Sequence, residues 1–174
     1  LYMVNGVDSP RLWDNATWTT ITGASTPAIT GVTTTLLAHV TLFKNRLFFV
    51  ESTSMRLWYL PVNSVGGAAA QMDMGSIFRL GGYVMAAYTW TLDAGSGSDD
   101  HLVIISSNGE IAVYRGSDPS SSTDWSVIGV FTMGRPLGRR CAVKFGGDLA
   151  VNTYEGVYPL GKGFLSSSVD RRVA

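Results

Sequence analysis

The apolar positions of this chain fall in short runs of three to five residues, each followed by a small polar turn and a second apolar run. This pattern occurs four times. Leu1-Tyr2-Met3-Val4 leads through Asn5-Gly6 to Arg11-Leu12-Trp13, and Leu47-Phe48-Phe49-Val50 leads through Ser52-Thr53-Ser54 to Leu57-Trp58-Tyr59-Leu60. Leu102-Val103-Ile104-Ile105 leads through Ser107-Asn108-Gly109 to Ile111-Ala112-Val113-Tyr114. Leu149-Ala150-Val151 leads through a turn near Tyr154-Glu155-Gly156 to Val157-Tyr158. Runs this short, rich in β-branched and aromatic residues and bounded by turn formers, predict strands joined as hairpins. The leading leucines lie 46, 55 and 47 residues apart, a period that predicts a repeat architecture.

The repeat extends beyond the hairpin. His39-Val40-Thr41-Leu42-Phe43 precedes the second copy and Cys141-Ala142-Val143-Lys144-Phe145 the fourth, each ending in a two-residue turn, Lys44-Asn45 or Gly146-Gly147. Superposing Leu47 on Leu149 places Phe43 on Phe145. After the first and third copies, Trp18-Thr19-Thr20-Ile21 and Trp125-Ser126-Val127-Ile128 supply an outer strand. Four antiparallel strands in about 40–50 residues describe a β-propeller blade. A β-sandwich of hairpins also places turns every 8–12 residues, and the register between copies favours blades. The expected fold is therefore all-β, a propeller or partial propeller of about four blade-like repeats over 1–165, with 166–174 as linker or tail. Gly66-Gly67-Ala68-Ala69-Ala70 can start a short helix; 93–100 and 117–123 read as surface loops. The chain starts within a strand pattern, without an initiator Met or a signal-peptide basic region, which suggests a piece of a larger protein.

Composition strengthens the all-β reading. The chain has 3 Lys, 3 Glu and 1 Gln among 174 residues, so the straight-chain polar helix formers are nearly absent. Gly (20), Ser (18) and Thr (16) supply turns and strands instead. Thirteen basic and thirteen acidic residues cancel, which removes a bulk electrostatic pull toward nucleic acid or anionic membrane. No apolar run reaches the ~18 residues of a membrane helix, so no membrane insertion is expected. The single Cys141 excludes an internal disulfide and a multi-cysteine zinc site.

Few residues carry candidate chemistry. Asp93, Asp99 and Asp100 lie among Gly and Ser, but the spacing matches no EF-hand and no Glu closes the loop. Gly95-Ser96-Gly97 lacks the third glycine and the following helix of a dinucleotide site. Cys141 reads as a small buried hydrophobe. His101, after two aspartates, has no serine in a nucleophile-elbow context. No catalytic residue, cofactor or metal is therefore assigned. Arg135, Arg139 and Arg140 form the one basic cluster, suited to a non-specific DNA contact or to the acidic residues Asp93, Asp99 and Asp100 of a neighbouring subunit. Trp13, Trp58 and Trp90 suit stacking on sugars if exposed and inter-sheet packing if buried.

Several segments carry a resemblance. Asn5-Gly6-Val7-Asp8 with Trp13-Asp14 and Trp18 resembles a segment common in tailed-bacteriophage proteins. Lys44-Asn45-Arg46-Leu47-Phe48-Phe49-Val50 with Leu57-Trp58-Tyr59-Leu60-Pro61-Val62 extends the likeness, as do Asp99-Asp100-His101-Leu102-Val103 and Gly138-Arg139-Arg140-Cys141. Together they are similar to the propeller-bearing tail hub, nozzle and DNA-stabilisation proteins of short-tailed phages. The resemblance implies a non-enzymatic virion component, assembled in the host cytoplasm as a homo-oligomeric ring against other tail and portal-vertex proteins. It would gate or seal the DNA channel. Glycan binding for host attachment is the alternative, and a propeller hydrolase a more distant one.

Overall fold

The computed structural model describes residues 1–93 and 98–161, with nothing said of the side chains at 92, 93, 98 and 99. The expected linker at 166–174 lies outside the described residues. Four antiparallel meander sheets follow one another along the chain. Sheet 1 contains β1 (Tyr2–Met3), β2 (Arg11–Trp13) and β3 (Trp18–Thr20), and β4 (Ile29–Thr30) follows it. After a 3-10 turn, sheet 2 contains β5 (Leu37–Phe43), β6 (Arg46–Glu51), β7 (Arg56–Tyr59) and β9 (Ala70–Asp73), with β8 (Gly67–Ala68) between the last two in the chain. Sheet 3 contains β10 (Val84–Asp93), β11 (Ser98–Ser106), β12 (Glu110–Arg115) and β13 (Ser126–Thr132). Sheet 4 contains β14 (Ala142–Phe145), β15 (Asp148–Thr153) and β16 (Gly156–Pro159).

The four leading runs occupy the expected places: Leu47, Leu102 and Leu149 sit in β6, β11 and β15, and Leu1 adjoins β1. The superposition of Phe43 on Phe145 also holds at the level of pairing. Phe43 faces Arg46 across the β5–β6 turn, and Phe145 faces Asp148 across the β14–β15 turn. Both turns carry two residues of positive φ, Lys44-Asn45 and Gly146-Gly147. Two central residues of positive φ characterise the tight turn whose twist matches its strands.

Side-chain alternation then decides what each sheet touches. Along β6, Phe48 and Val50 join a cluster with Leu102, Ile104, Ala112 and Tyr114 of sheet 3. The intervening Leu47 and Phe49 join Leu12, Tyr2 and Val4 from sheet 1 and its flank. Along β11, Leu102 and Ile104 face sheet 2, while Val103 and Ile105 pack with Leu149 and Val151 of sheet 4. Sheets 2 and 3 are thus covered on both faces, which explains why β6 and β11 read as continuous apolar runs. Each side chain fully buried this way contributes roughly 1.5–3 kcal/mol. We call the side facing the next sheet in the chain the forward face, and the opposite side the backward face.

Two expectations are corrected. Gly66–Ala70 starts no helix; it forms β8 and leads into β9. β8 pairs in parallel with β4, and Gly66 passes so near Ala28 that an added Cβ would lie 2.7 Å from its carbonyl oxygen. The Asp-Gly-Ser stretch at 93–100 is a loop only in part: β10 and β11 remain paired to Asp93↔Ser98, and 94–97 lie outside the described residues.

Buried polar groups fasten the connections. Glu110 is buried, and its carboxylate accepts from the amides of Arg79 (2.9 Å) and Leu80 (2.8 Å), tying the β9–β10 connection to sheet 3. Glu51, also buried, accepts from Trp58 Nε1 at 2.7 Å and from Arg56 at 2.9 Å. A hydrogen bond to a charged group contributes about 1.5–3 kcal/mol. Glu110→Ala should therefore lower unfolding stability by about 1.5–3 kcal/mol in urea denaturation; an unchanged midpoint would show that the two amides find other partners.

Candidate functional site

The residues singled out from the sequence lie at two opposite ends of the strands. Asp100 marks one end, beside the β10–β11 hairpin. Its carboxylate accepts from Thr91 Oγ1 at 2.7 Å and lies 3.9 Å from Lys44 Nζ in the β5–β6 turn. A cleft of about 500 Å³ opens here, lined by Lys44, Asp100, His101, Arg115, Ser117 and Asp124. The acids around it are occupied by their own loop. Asp124 accepts from the Ser117 and Asp118 amides and from Ser117 Oγ, and these bonds hold its carboxyl below the usual range. Asp118 is held low first by Ser120, and pairs with Arg46 at 3.2 Å. His101 is buried against Trp90, ring centroids 5.8 Å apart, and its Nδ1 has no hydrogen-bond partner. The side chains of Asp93 and Asp99 lie outside the described residues. Among the described residues no three His, Cys, Asp or Glu side chains gather as a metal centre.

The arginines mark the other end. Arg139 Nη1 donates to the Met85 carbonyl at 2.9 Å, its guanidinium lies over the Tyr83 ring at 5.7 Å, and its own carbonyl accepts from Tyr88 at 2.8 Å. It therefore acts as a rivet between the β13–β14 connection and β10. Arg135 donates to Asn108 Oδ1 at 2.8 Å in the β11–β12 turn. Arg140 is exposed. A second cleft of about 550 Å³ lies here, bordered by Tyr83, Asn108, Arg135, Leu137, Arg139 and Tyr154. Met85 and Thr91 are six positions apart on β10, about 20 Å at the rise of a strand. Asp100 and Arg139 therefore cannot pair within one chain.

Between these ends lies a polar trio, Cys141 buried and His39 and Tyr88 half-buried, that sequence reasoning did not bring together. His39 in β5 meets the Tyr88 ring edge-on at 5.2 Å, and the Tyr88 hydroxyl accepts from the Ala142 amide, next to Cys141, at 3.4 Å. Burial, then the charges of Arg139 and Arg140, push His39 down to about 4. Burial pushes the Cys141 thiol up to about 11 and Tyr88 up to about 12. Cys141 packs with Trp90, Leu149 and Val151, the small buried hydrophobe that its strand pattern suggests. The one available signal was that His39 and Cys141 occupy equivalent positions of two repeats.

Asn5 and Asp14 in the first repeat are turn builders. Asn5 Oδ1 accepts from the amides of Val7 (2.9 Å) and Asp8 (2.8 Å), while Asn5 Nδ2 donates to Asp8 Oδ2 at 2.9 Å. Asp14 Oδ1 accepts from the Ala16 (2.9 Å) and Thr17 (2.7 Å) amides in the turn between Trp13 and Trp18, whose rings lie 5.4 Å apart. These side chains set the backbone of tight turns. A scan of protein-family models finds no match to the chain, and a search of curated proteins finds no similar sequence.

The depressed His39 has a consequence for pH. The unfolded chain takes up this proton near pH 6.5 and the folded chain only near pH 4, so protons favour the unfolded state between these values. The contribution is complete above about pH 6.5 and is lost as pH falls toward 4, on the order of 3 kcal/mol at most. His39→Asn, which cannot titrate, should show a shallower loss of stability than the native protein when denaturant midpoints are compared at pH 7.5 and 4.5. Equal slopes would contradict the assignment; carboxylates common to both proteins cancel in the comparison.

Proposed function

We propose that the chain is a structural, non-enzymatic component of a tailed-phage particle, its four sheets being consecutive blades of a β-propeller in a tail hub, nozzle or adaptor. The observation that carries the propeller is the succession of meander sheets, each stacked on the next in chain order, with the same turn geometry recurring between β5–β6 and β14–β15. A sandwich of hairpins also satisfies the pairing within each sheet; the stacking order favours blades. The virion role rests on the resemblance of the turn-building segments, whose side chains serve the backbone and leave no reacting group poised. In this reading copies form a ring against portal-vertex and tail proteins and help to retain or pass DNA. The acidic end, with Asp93, Asp99 and Asp100, faces the basic end of an adjoining copy, with Arg135, Arg139 and Arg140. Arg140 is the arginine best placed for that contact or for a non-specific touch on packaged DNA, because Arg139 and Arg135 are held by Met85 and Asn108.

The alternatives have less support. Trp58 and Trp90 are buried, so neither offers a ring to a sugar; Trp13 is half-buried beside the exposed Trp18, which leaves sheet 1, among the described residues, as the one place where the glycan reading keeps support. A hydrolase centred on Asp100 and His101 would need a free acid and an accessible base, whereas Asp100 is bonded to Thr91 and His101 is buried. No helix among the described residues is long and apolar enough to cross a membrane.

Quantitative mass spectrometry of purified particles from the source phage should find the tryptic peptide Leu47–Arg56 at a fixed low copy number relative to the portal. Its absence from clean particles would overturn the virion reading.

A further inference from the structure

We propose that the forward face of sheet 4 is a docking surface for the backward face of sheet 1 of a second copy of this chain, joined head to tail. This contact rests on the stacked sheets and not on the virion reading. Three times within the chain, the forward face of one sheet is covered by the backward face of the next, through the clusters around Phe49, Ile104 and Val151. Among the described residues two such faces stay uncovered, and they are of opposite type, so one copy supplies each half of a fourth interface of the same kind.

The register identifies the residues. Phe43 is 2% exposed, covered by sheet 3, whereas Phe145, its counterpart in sheet 4, is 77% exposed. Val143, two residues away and on the same face, is 64% exposed, and Val157 of β16 is also exposed. On the opposite end, Met3 corresponds to Phe49 and Leu1 to Leu47. Phe49 is buried and Leu47 packs against the same cluster, but Met3 is 54% exposed and Leu1 is also exposed, with Trp18 of β3 uncovered beside them. Contiguous exposed apolar side chains mark association surfaces. Positions that bury apolar groups throughout the interior of the stack bare the same kind of group at its two ends. A head-to-tail contact of this type is heterologous: it closes into a ring if its rotation closes and otherwise continues as a filament.

Sedimentation velocity over a range of concentrations tests this. The native chain should assemble beyond the monomer. Phe145→Asp and Met3→Asp should each abolish larger assemblies; both side chains are exposed in the single chain, so circular dichroism and the denaturation midpoint should stay near native values. An equimolar mixture of the two variants should regain a complex of twice the monomer mass, because each brings one intact face. A native chain that remains monomeric at all concentrations would overturn the proposal. So would variants that still assemble alone, or a mixture that does not combine.

Discussion

The structure depends on burial of both faces of its central sheets. A meander of three or four short strands cannot hide two apolar faces by itself, and a two-stranded hairpin is marginal in water. Sheets 2 and 3 bury both because a neighbour lies on each side, and the alternation along β6 and β11 sends successive side chains into different interfaces. Stability is therefore shared between neighbours, as in repeat architectures. The polar rivets Glu51, Glu110 and Arg139 secure connections around this stack.

Much of this was legible in the chain. The apolar runs located the strands, and the recurrence of leading leucines located the sheets, because pairing and alternation are local consequences of residue type. The Phe43–Phe145 correspondence even captured hairpin register. Long-range choices were less legible. Gly66 to Ala70 has helix-compatible composition, but a parallel partner at Ile29–Thr30 captures it as strand. Asp93 to Asp100 has loop composition, yet Asp93 and Ser98 to Asp100 belong to the paired strands of a long hairpin. Arg139 reads as part of a solvated basic cluster; its real partners, Met85 and Tyr83, lie more than fifty positions away. His39, Tyr88 and Cys141 meet only because three first strands converge.

The chemistry of the molecule follows the same division. Charged side chains sit at the two ends of the strands and stabilise turns, while burial favours the neutral forms of His39 and Cys141. Exposed charge pairs such as Lys44–Asp100 contribute little to stability. Among the described residues the surface offers a cleft at either end of the strands and apolar faces on sheets 1 and 4.

The claim that sheet 3 is covered on both sides has a direct test in two adjacent, chemically identical residues of β11. Ile104 packs toward sheet 2 and Ile105 toward sheet 4, and both are fully buried. Ile104→Ala and Ile105→Ala should each cost about 2–5 kcal/mol of unfolding stability in urea. A near-zero cost for either one would mean that its face looks into solvent, and would contradict the stacked arrangement.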